Sequence, residues 1–265
     1  MDVILTGVIR SGTTLACHLL NRLPGVVALH EPMNLGPLTR LSETSAVLDE
    51  IAAFFAAQRA SLLETGTALS KARDSAVPDN SFPRERSAHG LREATDRRER
   101  VRFAKPLPEG FTLVLKHPNA FTALLPHLSA RWRCFALVRD PLAILLSWNS
   151  TRAAWTDGRV PMAEAFDPEL RARLDAEPDR IGRQLVILTW YFEQYRHWLP
   201  HDRILRYEEL IASGGRALAG IAPAAASLDE PLENRNANPA YERSLVRPLG
   251  DRLLATDGAI WDFYS

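Results

Sequence analysis

A segment near the start of the chain, LTGVIRSGTTLACHLL (residues 5–20), limits the possible folds more than any other part of the sequence. A short apolar run leads into a loop bounded by Gly7 and Gly12, and a helical pattern follows directly. Glycines let a ligand approach the backbone closely, and the free N–H groups of a helix's first turn attract anions. The segment is therefore typical of a phosphate-binding loop. A plain tight turn, with Ser11 and Thr13 capping the helix, explains the same residues without any ligand.

The loop lacks the lysine of a nucleotide triphosphatase. Its glycine spacing matches the Walker pattern G-x-x-x-x-G-K-[ST], but Thr13 stands where the lysine belongs. Without that lysine, a grip on β- and γ-phosphates around Mg²⁺ is poorly supported. We expect the loop to hold one terminal anionic group instead, with Arg10 supplying the cation and Ser11, Gly12, Thr13 and Thr14 surrounding it.

Five short apolar runs, most of them without alternation, predict strands that are covered on both faces. They lie at residues 3–6, 26–30, 111–117, 134–139 and 203–207. Helical patterns lie at residues 13–22, 43–63, 120–128, 141–152 and 181–199. The alternation predicts right-handed βαβ units and an α/β fold, a three-layer sandwich with a central parallel sheet of about five strands flanked by helices. Ligands of such sheets bind at the carboxyl ends of the strands.

Length and composition suit a single domain over residues 1–265. The formal net charge is zero, so nothing in the overall charge points to nucleic acid as a partner. Cys17 and Cys134 each lie in an apolar run, which favours buried, reduced thiols. The chain shows neither a leader sequence nor an apolar stretch near twenty residues, so we expect no membrane span and a cytoplasmic location.

Two polar regions interrupt the α/β rhythm. Residues 66–110 are rich in arginine and punctuated by proline, and they fit either a solvated insertion or a basic lid over an anionic substrate. The arginines between Arg84 and Arg102 hint at an anionic acceptor. The loop-rich tail at residues 228–265 is the second such region, and sequence alone does not reveal the oligomeric state.

A second element with chemical meaning reads ALVRDPLAILLSWNS. Arg139 ends an apolar strand, Asp140 suits the N-cap of the next helix, and Pro141 suits its first position. Ser147 follows about two helical turns later. A guanidinium and a hydroxyl placed in this way suit a second phosphate, although this element taken alone is better explained as a well-capped helix with a satisfied arginine.

Together the two elements resemble the sulfotransferases that use 3′-phosphoadenosine 5′-phosphosulfate (PAPS). The loop at residues 7–14 is similar to the 5′-phosphosulfate loop of that superfamily, and Arg139 with Ser147 is similar to its 3′-phosphate site. These two motifs are most similar to those of the carbohydrate and tyrosylprotein branches and of bacterial relatives. The resemblance is strongest over residues 2–32 and 112–151. Ile9 and Leu142 depart from the pattern, where a proline and a second arginine are common.

The resemblance also implies catalytic residues. Glu31, at the end of the second strand and before Pro32, is similar to the catalytic base of the carbohydrate and tyrosylprotein branches. Sulfuryl transfer to a hydroxyl needs such a base to collect the proton. Lys116 is similar to the lysine that, with Arg10, stabilises charge on the leaving oxygen. His117 remains an alternative base or an acceptor contact.

The resemblance is weaker over residues 181–211, and it is absent from the remaining segments. RYEEL at residues 206–210 is similar to a strand–helix junction of the superfamily, where Tyr207 lies near the adenine. The tail is expected to form a cofactor lid, with Arg243 and Ser244 as candidate contacts. The histidines and cysteines are scattered, so we expect no metal site.

These observations favour a PAPS-dependent sulfotransferase that acts on a hydroxyl of a carbohydrate or small natural product. Glu31 would serve as base in an in-line, metal-independent transfer, and adenosine 3′,5′-bisphosphate would be the second product. A P-loop kinase or nucleotide hydrolase with a degenerate Walker loop is one alternative. A nucleotide-binding module without catalysis is the other.

Overall fold

A parallel five-stranded sheet forms the centre of the computed structural model, which describes residues 1–83 and 90–264. The described residues form seven strands, β1 (Asp2–Gly7), β2 (Val26–His30), β3 (Thr67–Ala72), β4 (Arg97–Arg102), β5 (Thr112–Lys116), β6 (Arg133–Val138) and β7 (Ile204–Arg206), of which β3 and β4 lie outside this sheet. The sheet has the order β2-β5-β1-β6-β7, and every neighbouring pair is parallel. Its central strands are buried almost throughout, as continuous apolar runs require when helices cover both faces.

Helices connect the strands and flank the sheet. The α-helices of the described residues are α1 (Thr13–Leu20), α2 (Thr44–Thr65), α3 (Pro118–Ala123), α4 (Leu125–Arg131), α5 (Pro141–Trp148), α6 (Pro161–Phe166), α7 (Pro168–Ala176), α8 (Arg180–Trp198), α9 (Tyr207–Ala212) and α10 (Val246–Leu254). Within the described residues, no helix combines the length and the apolar character that a membrane crossing requires.

The predicted fold class is confirmed, and all five predicted strands occur within a few residues of their expected bounds. One predicted helix, at residues 120–128, is instead two helices that meet at Leu124. Pro126 explains the break, since it has no N–H to donate back and its ring clashes with the preceding turn. The helix predicted over residues 141–152 ends at Trp148. Both cysteines are free and buried, as expected.

A second, antiparallel sheet lies in the region that the sequence marks only as polar. β3 pairs with β4 from Thr67 opposite Arg102 to Ala72 opposite Arg97. The pair attaches to the edge of the main sheet, where the His30 amide of β2 donates to Ser70 Oγ at 2.9 Å. Sequence reasoning assigned no strand here because the buried positions of β3 carry small or polar side chains.

Candidate active site

Four of the functional candidates follow the carboxyl ends of neighbouring strands. The glycine-rich loop follows β1, Glu31 follows β2, Lys116 ends β5, and Arg139 follows β6. Because these strands are parallel and adjacent, their carboxyl ends meet at one edge of the sheet. The order of the strands therefore brings together residues that lie more than a hundred positions apart.

The loop after β1 makes a tight turn that directs the start of α1 to this edge. Ser11 N donates to Val8 O at 3.0 Å, and Val8 N donates to Leu137 O of β6 at 2.9 Å. Arg10 and Gly12 both have positive φ angles, 74° and 96°. Gly12 is the N-cap of α1 and offers no side-chain cap, so the first-turn N–H groups of α1 suit an outside anion.

Arg10 lies among other cations. Its Nε donates to Ser147 Oγ at 3.1 Å, its Nη1 donates to Asn80 Oδ1 at 3.1 Å, and its guanidinium lies 4.6 Å from the centroid of the Phe82 ring. Burial, together with the charges of Arg92 and other nearby arginines, lowers the pKa of Arg10 to about 9. The contacts named here are neutral, and an anion would relieve the crowding of positive charge.

Arg139 links the loop to the tail. It is buried, and its Nη1 donates to the backbone oxygen of Arg10 at 3.0 Å. Its Nε donates to Asn236 Oδ1 at 2.8 Å, its Nη2 donates to the Tyr241 hydroxyl at 3.2 Å, and the guanidinium lies 4.5 Å from the centroid of the Tyr207 ring. Like Arg10, it is held here by neutral acceptors.

Glu31 forms two ion pairs at the opposite side of the site. Its Oε1 lies 2.9 Å from Lys116 Nζ, and its Oε2 lies 2.6 Å from Lys71 Nζ. Its φ is 43°, a strained angle for a residue other than glycine, which is common at functional sites. Burial alone would raise the pKa of Glu31, but the neighbouring cations, Lys116 first, hold it well below its usual value.

A histidine and an aspartate extend this network. His30 Nδ1 lies 3.2 Å from Lys116 Nζ, while its Nε2 lies 2.7 Å from Asp96 Oδ2 and 3.0 Å from Ser81 Oγ. Since an ammonium only donates, Nδ1 must accept and the ring proton must lie on Nε2, facing Asp96. Burial, with help from Lys116, lowers the pKa of His30, so the ring is neutral.

His117 also lines the cavity, but the lone pair of its unprotonated nitrogen already accepts a hydrogen bond. Met33 N donates to His117 Nε2 at 3.2 Å, and the ring meets Phe121 edge-on at 4.9 Å between centroids. Burial lowers the pKa of His117 to about 3. A neutral ring that accepts at Nε2 carries its proton on Nδ1, which leaves no free basic nitrogen.

A cavity of about 580 Å³ joins these groups. The expected site residues that line it are Arg10, Gly12, Thr13, Thr14, Glu31, Lys116, His117, Arg139 and Tyr207. Ser11 and Ser147 are fully buried behind it, and within the described residues Ser11 Oγ has no hydrogen-bond partner. Arg243 and Ser244 lie outside the lining, exposed in a short 3₁₀ turn (Arg243–Leu245).

Several lining residues were not identified from the sequence. Lys71, Asn80, Phe82 and Asp96 come from the polar region at residues 66–110, and Arg235 comes from the tail. No motif marks them, because their positions depend on how two irregular segments return to the sheet.

Some of the arginines between Arg84 and Arg102, which the sequence suggested as contacts for an anionic acceptor, have described contacts, and others lie outside the described residues. Arg84 and Arg86 lie outside the described residues. Arg98 lines the cavity and donates to Met33 O at 2.7 Å, while Arg100 donates to Ser61 Oγ at 2.9 Å. Among the described residues there is no group of three or more His, Cys, Asp or Glu side chains able to hold a metal ion.

No protein-family model matches the chain, and no curated protein matches it. Among solved structures, the chain is similar to the crystal structure of sulfotransferase STF9 from Mycobacterium avium. The two share 15% sequence identity, the match covers 97% of this chain and 77% of that one, and the TM-score is 0.37. A likeness this distant does not place the chain in a family, so a function has to be argued from the site itself.

Proposed function

We propose that the chain is a PAPS-dependent sulfotransferase that acts on a hydroxyl group. The observation that carries this proposal is the pairing, in one cavity, of two arginines beside the glycine-rich loop and a lysine-bound carboxylate. Arg10 and Arg139 are held by neutral groups next to the start of α1, whereas Glu31 contacts Lys116 at 2.9 Å. An anionic donor and a hydroxyl acceptor need these two environments side by side.

The loop suits the phosphosulfate end of the donor. The N–H groups at the start of α1 and the Arg10 guanidinium can bind its oxygens, and the unpartnered Ser11 Oγ lies behind them. Arg139 lines the cavity and suits the 3′-phosphate, and the Tyr207 ring suits the adenine. Ser147 lies behind the lining, where its Oγ accepts from Arg10 Nε. Thr13 in place of the Walker lysine disfavours a triphosphate held around Mg²⁺.

PAPS supplies the sulfuryl group, and adenosine 3′,5′-bisphosphate leaves. The acceptor oxygen forms the new bond to sulfur while the bond from sulfur to the bridging phosphate oxygen breaks. Glu31 takes the hydroxyl proton and later loses it to water, and Lys116 with Arg10 stabilises the charge on the departing oxygen. Because its pKa is depressed, Glu31 is ionised at neutral pH and ready to accept.

Among the two candidate bases, the contacts favour Glu31. The lone pair of His117 Nε2 is occupied by the Met33 amide, whereas each carboxylate oxygen of Glu31 keeps a lone pair beyond its lysine contact. A proton on an attacking oxygen becomes strongly acidic as the new bond forms, so a weakly basic carboxylate is sufficient in the transition state.

The test measures transfer of labelled sulfate from PAPS to a panel of carbohydrate and small-molecule alcohols. Glu31→Gln is expected to lower turnover by roughly 10²- to 10⁴-fold, and to leave the affinity for adenosine 3′,5′-bisphosphate nearly unchanged. Glu50→Gln, which alters an exposed glutamate of α2, is the matched control. His117→Gln is measured in parallel, and a larger loss there than in Glu31→Gln would make His117 the base.

Binding experiments distinguish the alternatives. Tight binding of adenosine 3′,5′-bisphosphate without turnover on any acceptor would indicate a binding module. Mg²⁺-dependent ATP binding that exceeds the affinity for the bisphosphate would indicate a kinase or nucleotide hydrolase.

A further inference from the structure

We propose that the β3–β4 sheet is a positioning frame for the catalytic pair, with Lys71 holding Glu31 and Asp96 holding Lys116 through His30. This inference rests on the proposed function, since it assigns roles around the same reaction. Neither a motif nor the composition indicates a role for the β3–β4 sheet.

The frame reaches the pair from both sides. Lys71 lies on β3 opposite Arg98 of β4, and Asp96 immediately precedes β4. Asp96 therefore lies two residues before the cross-strand partner of Lys71, in the same two-stranded unit. The contact between the His30 amide and Ser70 fixes that unit to β2, the strand that leads directly into Glu31.

The contacts link five side chains into one continuous hydrogen-bonded chain. It runs from Asp96 to His30, then to Lys116, Glu31 and finally Lys71, with separations of 2.7, 3.2, 2.9 and 2.6 Å. The side chains of Asp96 and His30 are each 1% exposed, and that of Lys116 is 3% exposed. Burying polar groups is costly unless they have partners, so these contacts favour one arrangement, in which Asp96 Oδ1 is left without a hydrogen-bond partner among the described residues.

This arrangement fixes the direction of the Lys116 ammonium. One N–H points to Glu31 Oε1 and a second points to His30 Nδ1, which leaves the third for the cavity that Lys116 lines. A donor already aimed at the departing oxygen needs no reorientation during the reaction. Asp96 maintains this state, because it binds the Nε2 proton and so keeps Nδ1 as an acceptor.

Lys71 acts on the other carboxylate oxygen. It holds Glu31 Oε2 and adds a second positive charge next to the base, while its side chain remains 31% exposed. The charged or titratable groups that interact with Glu31 are Lys71, Lys116, His30, His117, Arg98, Tyr191 and Cys17, and Asp96 in turn interacts with Lys71. Loss of the Lys71 charge should raise the pKa of Glu31 and release one end of the carboxylate.

The closing experiment compares Lys71→Met, Lys71→Arg and Asp96→Asn with wild type. Arg102→Met and Asp74→Asn, two exposed positions of the same region, are the matched controls. We expect Lys71→Met and Asp96→Asn to lower kcat by roughly 10- to 100-fold. The affinity for adenosine 3′,5′-bisphosphate should stay within about twofold of the wild-type value. In Lys71→Met the acidic limb of the pH–rate profile should move to higher pH, and Lys71→Arg should restore most of the rate and the profile.

A titration of the Glu31 carboxyl carbon by NMR separates the two proposals, since it needs no turnover. An upward shift of this titration in Lys71→Met supports the frame even if wild type transfers no sulfate, in which case only the sulfotransferase proposal fails. An unmoved titration, an unchanged kcat, or equal losses in the controls would overturn the frame. Lys71 is partly exposed, so this arm stands even where Asp96→Asn does not fold.

Discussion

The two ends of the cavity handle charge in opposite ways. At the loop end, Arg10 and Arg139 are satisfied by amides, hydroxyls and backbone oxygens. At the Glu31 end, each charge lies against its opposite, from Lys71 through Glu31 to Lys116. One end is thus prepared for a charged ligand, whereas the other is already balanced.

This difference assigns a partner to each end. An anion entering the loop end gains attraction from Arg10 and Arg139 at once, because the contacts named for these two arginines do not neutralise them. A second anion at the Glu31 end would meet a carboxylate, so a neutral hydroxyl is the better guest. The proposed reaction needs this asymmetry, which places a bisphosphate at one end and an alcohol at the other.

The largest effect is expected when the loop end loses its central cation. Arg10→Gln would remove two charge-assisted hydrogen bonds from the guanidinium to a phosphate group of the bound bisphosphate, worth about 1.5–3 kcal/mol each. We therefore expect the affinity for adenosine 3′,5′-bisphosphate to fall roughly 10²- to 10⁴-fold by calorimetry. Thermal stability without ligand should be equal or higher, because the lowered pKa of Arg10 shows that its charge is disfavoured, first by burial and then by the neighbouring arginines.

Arg247→Gln, at a fully solvated position of α10, is the control and should change neither quantity. If Arg10→Gln binds the bisphosphate as wild type does, the contrast between the two ends is wrong.

Lowering the pH should reduce the stability of the fold through the titratable groups at the Glu31 end, while the arginines stay charged. The pKa of His117 falls from its usual 6.5 to about 3 in the fold, so the unfolded chain binds a proton that the folded chain refuses. Stability is therefore lost as pH falls from about 6.5 to 3, by up to about 1.4 kcal/mol per pH unit. Glu31 adds a loss in the same direction below its usual value of 4.5.

His117→Gln keeps an acceptor for the Met33 amide and removes the titration, so urea unfolding of this variant should depend less on pH in that window. His197→Gln, on the exposed end of α8, should keep the full dependence. Equal slopes in the two variants would contradict this account.

The smallest effect tests the geometry of the loop end. A Cβ at Gly12 would lie 2.8 Å from the Tyr207 ring, and the φ of 96° is strained for any side chain. Gly12→Ala should cost about 1–3 kcal/mol and weaken bisphosphate binding, because the ring must move. Gly110→Ala, with no atom within 4 Å of the added Cβ, is the control in chemical denaturation.

The sequence predicted the main sheet because its strands are apolar runs that need only be recognised locally. Glu31 and Lys116 could be proposed in the same way, since parallel order brings strand ends together. Lys71 and Asp96 could not, because β3 buries only Ala68, Ser70 and Ala72 and so shows no hydrophobic alternation. The split helix around Pro126 was legible in principle, since proline interrupts a helical pattern.

The tail shows the same limit from another direction. Arg139 meets Asn236 across 97 positions, a pairing that no local pattern encodes. The candidates chosen from the tail sequence, Arg243 and Ser244, are exposed, and their role as cofactor contacts stays a prediction.

The placement of Lys71 has a practical consequence for conjugation chemistry. The sequence contains three lysines, Lys71, Lys105 and Lys116. Lys116 is buried and Lys105 donates to two backbone oxygens at the end of α1. Amine-directed dyes and immobilisation resins therefore have few targets besides the N-terminus, and one of them binds Glu31.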